Sequence, residues 1–412
     1  MKDMQETEYG RVASSWRFIP STEFCYRITD GTHDSPKEQK EGKHLITSKH
    51  IKGREIDFEN AYRIKEEDFD KINLRSRVDQ WDVIISMIGE YCGFCYVERN
   101  ATIDYAVKNV GILKTGEKEK ALWLYYYLNS KIGRFLLDTN KSGTSQPYLT
   151  LGFLRDFPVL YPNSDKEANI IIEVLSSLDD KIDLLHRQNK TLEQLAETLF
   201  RQWFVEEAEE SWEVVKVKDV CSTITKGTTP TTLGKQFKET GINFIKAESM
   251  NDDGTFVNEK FAFIDEDTHN LLKRSQIQEG DILITIAGTI GRIGYVTNEV
   301  LPANTNQAVG IMRASKDLIS PYFLYCLFKT SEVKNDFDGR VVHAVQPNLS
   351  LGEIGDIEFK MPPKQKLEHG NNELKTLFGK KNKNTQQIRT LTQLRDTLLP
   401  KLMSGEVRVT MK

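Results

Sequence analysis

Hydrophobic residues recur at helical spacing through a long stretch in the middle of the chain. From about Lys166 to Trp203 they alternate steps of four and three. This heptad seam is typical of a helix packed lengthwise on another helix, and about 35 residues would extend roughly 50 Å. Asn189 is the kind of polar seam residue that fixes register. An amphipathic helix lying on a globular core is the alternative. The seam positions are Leu178, Ile182, Leu185, Asn189, Leu192, Ala196, Leu199 and Trp203.

A weaker copy of the seam follows 199 residues later. Lys381 and Asn384 interrupt it, and residues 379–384 (GKKNKN) have low helix propensity. We therefore expect a helix broken near Gly379 and firm from about Gln386 to Leu399. Two such helices can pair antiparallel, which would set two globular segments at opposite ends of a rod. The apolar positions of this second seam are Leu374, Leu377, Ile388, Leu391, Leu394, Leu398 and Leu402.

Outside the seams the pattern is mixed. Residues 83–88 (VIISMI) are short, β-branched and bounded by turn residues, which predicts a buried strand. Residues 122–137 (LWLYYYLNSKIGRFLL) have helical spacing and predict one packed helix. We interpret its residues Tyr125, Tyr126 and Tyr127 as core and rim side chains rather than as a stacking platform.

The chain contains an internal duplication. Residues 82–89 (DVIISMIG) match residues 281–288 (DILITIAG) at the shift of 199, and QPYLTLG at 146–152 returns as QPNLSLG at 346–352. Upstream, CYRITDGT at 25–32 pairs with CSTITKGT at 221–228. A repeat of this length predicts two copies of one domain and a pseudo-two-fold molecule that grips two related targets.

The predicted fold class is therefore α+β, with two tandem homologous domains joined by two long helices packed as an antiparallel coiled coil. The first globular domain covers residues 1–163 and the second residues 211–363. The helices cover residues 166–205 and 364–404. The acidic run 206–210 (EEAEE) predicts a solvated linker between the first helix and the second domain.

Composition narrows the class of protein only moderately. The chain has 412 residues, 39% hydrophobic and 28% charged, which is typical of globular proteins. The N-terminal residues lack an apolar signal-peptide core and no stretch of about 18 apolar residues occurs, so we expect a cytoplasmic protein. Of five cysteines only Cys92 and Cys95 have metal or redox spacing. Without a second pair, reduced thiols are the favoured interpretation.

Catalytic motifs are missing from the sequence. It contains no phosphate-binding P-loop, no dinucleotide fingerprint, no Gly-x-Ser-x-Gly and no amino-methyltransferase motif. Metal-dependent nuclease carboxylates at the usual spacing are also missing. A recognition role without catalysis is therefore the expectation.

The repeated loops are the candidates for contacts with DNA. Residues 28–36 and 224–230 combine glycine with threonine, which suits either phosphate contact or a tight turn. Residues 141–146 and 340–346 are polar loops that fit either DNA contact or a structural entry to the next segment. Arg75 and Arg274 fit phosphate contacts, although surface salt bridges are the favoured alternative. The candidates are Thr29, Gly31, Thr32, His33, Arg75, Lys141, Ser142, Thr144, Gln146, Lys226, Gly227, Thr228, Thr229, Arg274, Arg340, His343 and Gln346.

Comparison of the two copies adds an argument. Identical positions, such as Gly31 and Gly227, are expected to maintain the shared scaffold. Polar positions that differ, such as His33 against Thr229, are better candidates for recognising different bases, because base edges are distinguished by side-chain donors and acceptors.

Together, the tandem loops, the Q-P-x-L-[ST]-L-G turns and the helix ends LFRQWF (199–204) and LLPKLMSGE (398–406) resemble the specificity (S) subunit of type I restriction–modification systems. The resemblance implies a non-catalytic, sequence-specific subunit that binds a bipartite target on double-stranded DNA through two target-recognition domains. It also implies that the helices set the spacing and dock two methyltransferase subunits, with restriction subunits as further partners. S-adenosylmethionine, ATP and Mg²⁺ would then belong to partner subunits.

Two other interpretations are weighed against this one. A bivalent protein-interaction scaffold that never touches DNA agrees with the net charge of −4. Binding that weakens steeply with added salt would favour DNA instead. A fragment of a fused restriction–methylation enzyme is disfavoured because the methyltransferase motifs are missing.

Overall fold

Each copy of the repeat folds around its own sheets. The computed structural model describes residues 3–342 and 348–407. Contacts divide the chain into two units: unit 1 is drawn from residues up to Leu184 and from Gln387 onward, and unit 2 is Leu185–Gln386. The division therefore passes through both of the long predicted helices.

Unit 1 begins with a strand pair and continues with a mixed α and β domain. Its strands are β1 (Met4–Thr7), β2 (Gly10–Ala13), β3 (Trp16–Pro20), β4 (Arg27–Asp30), β5 (Lys43–Thr47), β6 (Arg63–Ile64), β7 (Asp82–Ser86), β8 (Cys95–Val97), β9 (Tyr105–Lys108), β10 (Val110–Lys114) and β11 (Pro158–Pro162). Its helices are α1 (Ser21–Phe24), α2 (Glu66–Ser76), α3 (Lys118–Asn129), α4 (Lys131–Thr139) and α5 (Leu151–Asp156), after which the long helix α6 (Asp165–Arg201) begins.

The globular part of unit 2 follows a short π-helical turn, Gln202–Glu206, at the end of α6. Its strands are β12 (Val214–Lys216), β13 (Cys221–Lys226), β14 (Ile242–Ile245), β15 (Ala262–Ile264), β16 (Ile282–Thr285), β17 (Ile293–Tyr295), β18 (Ala303–Thr305), β19 (Val309–Ala314) and β20 (Glu358–Lys360). Its helices are α7 (Val217–Val220), α8 (Glu266–Leu271), α9 (Pro321–Lys329), α10 (Ser331–Val342) and α11 (Leu351–Gly355), followed by the long helix α12 (Lys364–Met403).

The sheets of the two units have the same strand order. The four-stranded antiparallel sheet is β4-β10-β7-β8 in unit 1 and β13-β19-β16-β17 in unit 2. The three-stranded sheet is β6-β5-β9 in unit 1 and β15-β14-β18 in unit 2, each with one parallel pairing. The strand pair β11-β3 likewise corresponds to β12-β20. The predicted duplication is therefore confirmed in the fold.

The predicted strand at residues 83–88 is confirmed as β7, although it ends at Ser86. Val83 and Ile85 face the core that contains α3, whereas Ile84 faces the core beneath the three-stranded sheet. Because both faces are covered, the strand is apolar along its length rather than alternating. In unit 2, Ile282 and Leu283 divide between two cores in the same manner.

The single helix predicted for residues 122–137 is wrong. The segment forms α3 and α4, separated at Ser130, whose hydroxyl caps α4 by accepting from the Gly133 amide at 3.2 Å. A serine cap satisfies the free amides of a new first turn, which favours a break that apolar spacing does not reveal. Tyr126 and Tyr127 are buried and Tyr125 is half-buried, in agreement with a core and rim role.

Helices α6 and α12 run antiparallel where they meet within each unit. In unit 1, Asp179 of α6 pairs with Arg395 of α12 at 3.1 Å. In unit 2, the side-chain amide of Asn189 in α6 donates to Thr385 Oγ1 of α12 at 3.2 Å. Glu193 then pairs with Lys381 at 2.7 Å. The residue numbers rise along α6 as they fall along α12, as the predicted antiparallel pair requires.

The buried face of α6 differs in part from the predicted seam. Ile182, Leu185 and Ala196 are buried as expected, but Leu178, Leu199 and Trp203 are only half-buried. The buried positions beside these three are Asp179, Phe200 and Phe204. The heptad prediction takes a second helix as the only neighbour, whereas α6 also packs against the globular part of each unit. At these three positions the buried residue is therefore the next one along the helix.

The predicted break of the second helix near Gly379 is wrong, because α12 is continuous over 40 residues. Leu374, Phe378 and Asn384 are buried around the weak segment, and Lys381 is paired with Glu193. These contacts outweigh low intrinsic propensity, as tertiary packing supplies most helical stability in proteins.

Two smaller expectations concern exposure. Residues 206–210 are exposed except for the half-buried Ala208, in agreement with a solvated linker. Within residues 3–342 and 348–407, no helix is both long and apolar enough to cross a membrane.

Candidate nucleic-acid interface

The loops singled out in unit 1 leave one end of its four-stranded sheet. β4 ends at Asp30, which lies opposite Gly111 of β10, and β7 ends at Ser86, which lies opposite Val110. The Leu149 amide donates to the Met87 carbonyl at 2.8 Å, which brings the loop before Leu149 to the same end. We call this end the unit 1 patch, defined as residues 30–36, 75, 87–94, 108–109 and 141–148.

The equivalent end of unit 2 has the same backbone pairing. Lys226 at the end of β13 lies opposite Gly310, and Thr285 at the end of β16 lies opposite Val309. The Leu349 amide donates to the Ile286 carbonyl at 3.0 Å, as Leu149 does in unit 1. We call this end the unit 2 patch, defined as residues 226–232, 274, 286–292, 306–308 and 348.

A polar network covers the unit 1 patch around His33. Its Nε2 lies 3.0 Å from Asp30 Oδ2 and its Nδ1 lies 3.0 Å from Asn109 Oδ1. Arg75, in the last turn of α2, donates to the other Asp30 oxygen at 2.9 Å. The salt-bridge interpretation of Arg75 is confirmed. The side chains of His33 and Arg75 are 66% and 60% exposed, so both can still reach a ligand.

The unit 2 patch has a different set of side chains on the same scaffold. Lys226 stands in place of Asp30, and Thr229 in place of His33 contacts Gln307. Arg274, equivalent to Arg75, donates only to the Thr228 hydroxyl at 3.3 Å. Among the described residues no carboxylate lies within salt-bridge distance of Arg274. The salt-bridge interpretation of Arg274 is therefore wrong, because its acidic partner is replaced by a lysine.

Gly31 and Gly227 have a structural reason to be glycine. A Cβ at Gly31 would lie 2.4 Å from the Val107 carbonyl oxygen, and one at Gly227 would lie 1.9 Å from that of Thr305. The two glycines thus permit close backbone packing, as expected for positions that maintain the scaffold. Thr29 is buried in β4 and Thr32 is half-buried with its hydroxyl accepting from the Asp34 amide, so neither presents a free side chain at the patch.

The loop 141–146 adds a second exposed segment to the unit 1 patch. Ser142 and Tyr148 exchange backbone hydrogen bonds at 2.8 and 2.9 Å, which closes a tight loop that presents Thr144 and Gln146 to solvent. Lys141 is paired with Asp138 at 2.6 Å. The equivalent candidates His343 and Gln346 and the side chain of Arg340 lie outside the described residues, so they stay predictions.

Sequence reasoning missed the loop 87–94, which faces loop 141–148. The Gly89 amide donates to the Pro147 carbonyl at 2.9 Å, and Phe94 and Tyr148 are 37% and 42% exposed. The Arg134 guanidinium lies 5.4 Å from the Phe94 ring. Exposed aromatic faces suit contacts with bases or sugars. One signal for this aromatic surface was present in the repeat: the second copy has Asn348 at the position of Tyr148, and positions that differ between the copies are candidates for recognition.

The cysteines do not suggest a metal or redox site. Cys92 and Cys95 are buried, and burial raises the pKa of both thiols, that of Cys95 to about 11. A protonated thiol is a poor metal ligand and nucleophile at neutral pH. Among the described residues, no three His, Cys, Asp or Glu side chains are grouped to hold a metal ion.

The helix positions predicted for pairing and docking have unequal exposure. Ile182 and Leu185 are buried, whereas Leu192, Ile388, Leu391 and Leu398 are half-buried, as is Asn189. Three leucines on these helices are exposed: Leu184 and Leu195, which the heptad did not select, and Leu394 of the second seam are 40%, 44% and 45% exposed. The seam residues therefore serve packing first, and exposed leucines are better placed for an external partner.

The chain matches known proteins over most of its length. A family model described as "Type I restriction modification DNA specificity domain" matches residues 35–194 and again residues 209–394. The first match covers most of the unit 1 patch and most of α6, and the second covers the unit 2 patch and most of α12. The chain belongs to the type I restriction–modification DNA specificity family. Members of this family are non-catalytic subunits whose catalytic partners are separate chains, so this chain is not itself an enzyme. Family membership also implies DNA recognition and assembly with the other subunits of such a system.

Individual relatives have low sequence identity to this chain but match most of its length. The chain is 26% identical over 306 residues to the type I restriction enzyme MjaIX specificity subunit of Methanocaldococcus jannaschii, covering 70% of this chain and 69% of that one. It is 22% identical over 351 residues to the HindI specificity subunit of Haemophilus influenzae, covering 66% and 73%. The crystal structure of a type I S subunit from M. genitalium superposes with a TM-score of 0.57 at 15% identity, covering 96% and 97%. This last similarity supports the fold.

Proposed function

We propose that this chain gives a type I restriction–modification complex its sequence specificity by recognising a bipartite DNA target. Each patch recognises one half of the target. The observation that carries the proposal is the contrast between the patches: backbone pairing is the same, but Asp30, His33 and Asn109 in unit 1 are replaced by Lys226, Thr229 and Ala308 in unit 2. Shared scaffolds with different donors and acceptors are what two unlike half-sites require.

The polar side chains at the two patches divide by chemistry into two roles. Arg75, Lys226 and Arg274 suit contacts with phosphates, which position the protein on the duplex. His33, Thr144, Gln146 and Thr229 carry donors and acceptors suited to base edges, where sequence is distinguished. Tyr148 and Phe94 extend the unit 1 patch with apolar surface.

The helices account for the spacing and the assembly in this proposal. At 1.5 Å per residue, the 37 residues of α6 extend about 55 Å. The helix pair sets the separation of two half-sites about one turn of DNA apart. Two methyltransferase subunits dock on the helices, where exposed leucines offer apolar contacts, and restriction subunits join that assembly. S-adenosylmethionine, ATP and Mg²⁺ bind these partners, and each methyltransferase modifies an adenine flipped out of its half-site.

A domain exchange tests the proposal. Residues 211–363 are replaced by the corresponding segment of another family member, and the methylated adenines are mapped across the genome of a host that expresses the whole complex. The expected result is a change in one half of the methylated sequence, with the other half and the gap unchanged. Changes in both halves, or in neither, would contradict recognition by separate units. The reciprocal exchange of residues 1–163 is the matched control and should alter only the other half.

A further inference from the structure

We propose that the two patches bind DNA with unequal electrostatics: the unit 2 patch supplies most of the phosphate-directed affinity, and the unit 1 patch adds little affinity and mainly discriminates bases. The inference rests on the proposed function and concerns which patch holds the duplex. It depends on charged side chains at equivalent positions in the two units.

The unit 2 patch carries cations without acidic partners. Lys226 and Arg274 are both exposed, and among the described residues neither has a carboxylate within salt-bridge distance. Between Lys226 and Lys235 the loop contains no acidic residue. The facing loop 286–292 contributes Thr289 where unit 1 has Glu90. Arg292 in the same patch is paired with Asp252 at 2.6 Å, but a phosphate that reaches Lys226 and Arg274 meets positive charge with no ion pair to break.

The unit 1 patch is close to neutral by comparison. Arg75 is already paired with Asp30, and its guanidinium also donates to the Gly31 carbonyl at 3.2 Å. Lys108 in this patch is half-buried and donates to the Ser35 hydroxyl, and Asp34 and Glu90 place two further, exposed carboxylates in the surrounding loops. A phosphate near Arg75 must displace the Asp30 carboxylate and is repelled by it at short range. The one cation that both patches share is thus neutralised in unit 1 alone.

Counterion release turns this difference into a measurable quantity. Each phosphate neutralised by a protein cation releases condensed counterions and adds about 0.9 to the slope of log K against log salt for B-form DNA. Lys226 and Arg274 should together contribute a slope of about 1.8, and Arg75 much less.

The test measures the salt dependence of binding to a fluorescein-labelled 30-base-pair duplex of mixed sequence, using the full chain assembled with its modification subunits. Mixed-sequence binding depends on phosphate contacts, so the target sequence need not be known. The variants are K226A/R274A, the unit 1 equivalent R75A, and D30N, which frees Arg75 without changing side-chain shape. K316A is the control, since the exposed Lys316 follows β19 at the opposite end of the unit 2 sheet.

K226A/R274A should lower the slope by about 1.8 and weaken binding roughly 60-fold at about 0.1 M salt, whereas R75A should change the slope by less than about 0.5. D30N should raise the slope by about 0.9 and tighten binding up to about eightfold, a gain that a folding defect cannot produce. K316A should match the parent chain.

The outcomes separate this inference from the proposed function. Equal losses for R75A and K226A/R274A, or no gain for D30N, would overturn the inequality while leaving DNA recognition at both patches intact. A parent complex that binds with little salt dependence, or one that no patch variant weakens, would instead contradict the proposed placement of DNA and favour a protein-binding scaffold.

Discussion

In unit 1 the helix pair is joined to the globular part through a buried aspartate, whereas in unit 2 a glutamate further along the same helix does so. Asp179, 1% exposed, pairs with Arg54 and with Arg395. Glu193 pairs with Lys329 at 3.3 Å and Lys381 at 2.7 Å. Each carboxylate thus lies between one cation from the globular part and one from α12.

A tyrosine at the same position of the repeat completes both clusters. Tyr126 donates to Asp179 at 2.9 Å, and Tyr325, 199 residues later, donates to Glu193 at 2.7 Å. The tyrosine is the same in both copies of the repeat, but the carboxylate that accepts its hydrogen bond comes from a different turn of α6. The comparison indicates that a buried tyrosine hydroxyl needs an acceptor, and that several positions on the neighbouring helix can supply one.

The cations also differ between the two clusters. Arginines surround Asp179 and lysines surround Glu193, and an arginine holds a carboxylate through a planar fork that a lysine lacks. Glu193 is also less deeply buried, with 16% of its side chain exposed. The Asp179 cluster should therefore be the more sensitive of the two to loss of its carboxylate.

The largest expected effect is that of D179N. Removing one member of a buried ion pair leaves desolvated charge behind, so the free energy of unfolding should fall by about 3 kcal/mol. Thermal and urea unfolding measure the change. The control is D180N, because Asp180 is exposed and its pairing with Arg99 is a surface one, worth about 0–1 kcal/mol. Equal effects of the two variants would show that the buried cluster does not stabilise unit 1.

A smaller effect is expected for E193Q, about 1–3 kcal/mol at neutral pH, as for a hydrogen bond to a charged group. Burial alone raises the pKa of Glu193, but the charges of Lys381 and Lys329 and the hydrogen bonds from Lys381 and Tyr325 outweigh it, so the pKa is lowered. A lowered folded-state pKa gives stability that is fully present above the ordinary value of 4.5 and is lost as the pH falls through the folded pKa.

The difference in unfolding free energy between the parent chain and E193Q should therefore be constant near neutral pH and shrink below about pH 4.5. Urea unfolding at a series of pH values measures it. E197Q serves as the control, since Glu197 is more exposed and makes a longer contact of 3.6 Å with Lys329. A difference that grows on acidification would mean that the glutamate is not held ionised by the two lysines.

The smallest expected change in stability is that of G379A, which tests whether α12 is a regular helix at Gly379. A Cβ at Gly379 meets nothing within 4 Å, so G379A should stabilise the chain by about 0.5–1 kcal/mol through helix propensity. G370A is the contrasting variant in the same helix. Its Cβ would lie 2.3 Å from the Phe204 ring, so it should destabilise by about 1–3 kcal/mol. Thermal unfolding distinguishes the signs, and destabilisation by G379A would indicate that the helix bends there.

Sequence patterns predicted several elements correctly, because each depends on the chain's own periodicity. The buried strand at β7, the long helix α6 and the repeat of the whole domain are of this kind. In the structure, the described loop candidates of each unit lie at one end of its four-stranded sheet, because strands of matching register end there. Two predictions were wrong. The predicted break near Gly379 took no account of packing around α12, and the predicted single helix over residues 122–137 took no account of the Ser130 cap.

Candidate site residues were separated only by their neighbours in space. Arg75 and Arg274 look alike along the chain, yet one faces Asp30 and the other faces a threonine hydroxyl. Gly31 and Gly227 look like ligand-approach glycines, yet backbone carbonyls occupy the space beside them. Tyr148 and Phe94 come from segments more than fifty residues apart, so neither alone indicates an exposed aromatic surface.

The order of residues by itself determined the duplication, the class of fold and the family, since repeats and periodic apolar positions are properties of the chain read in order. Only the tertiary structure decided which stripe of α6 is buried, whether α12 is continuous, and which patch retains free positive charge. Those outcomes depend on desolvation and on charges brought together from distant segments, and neither quantity is defined until the chain has folded.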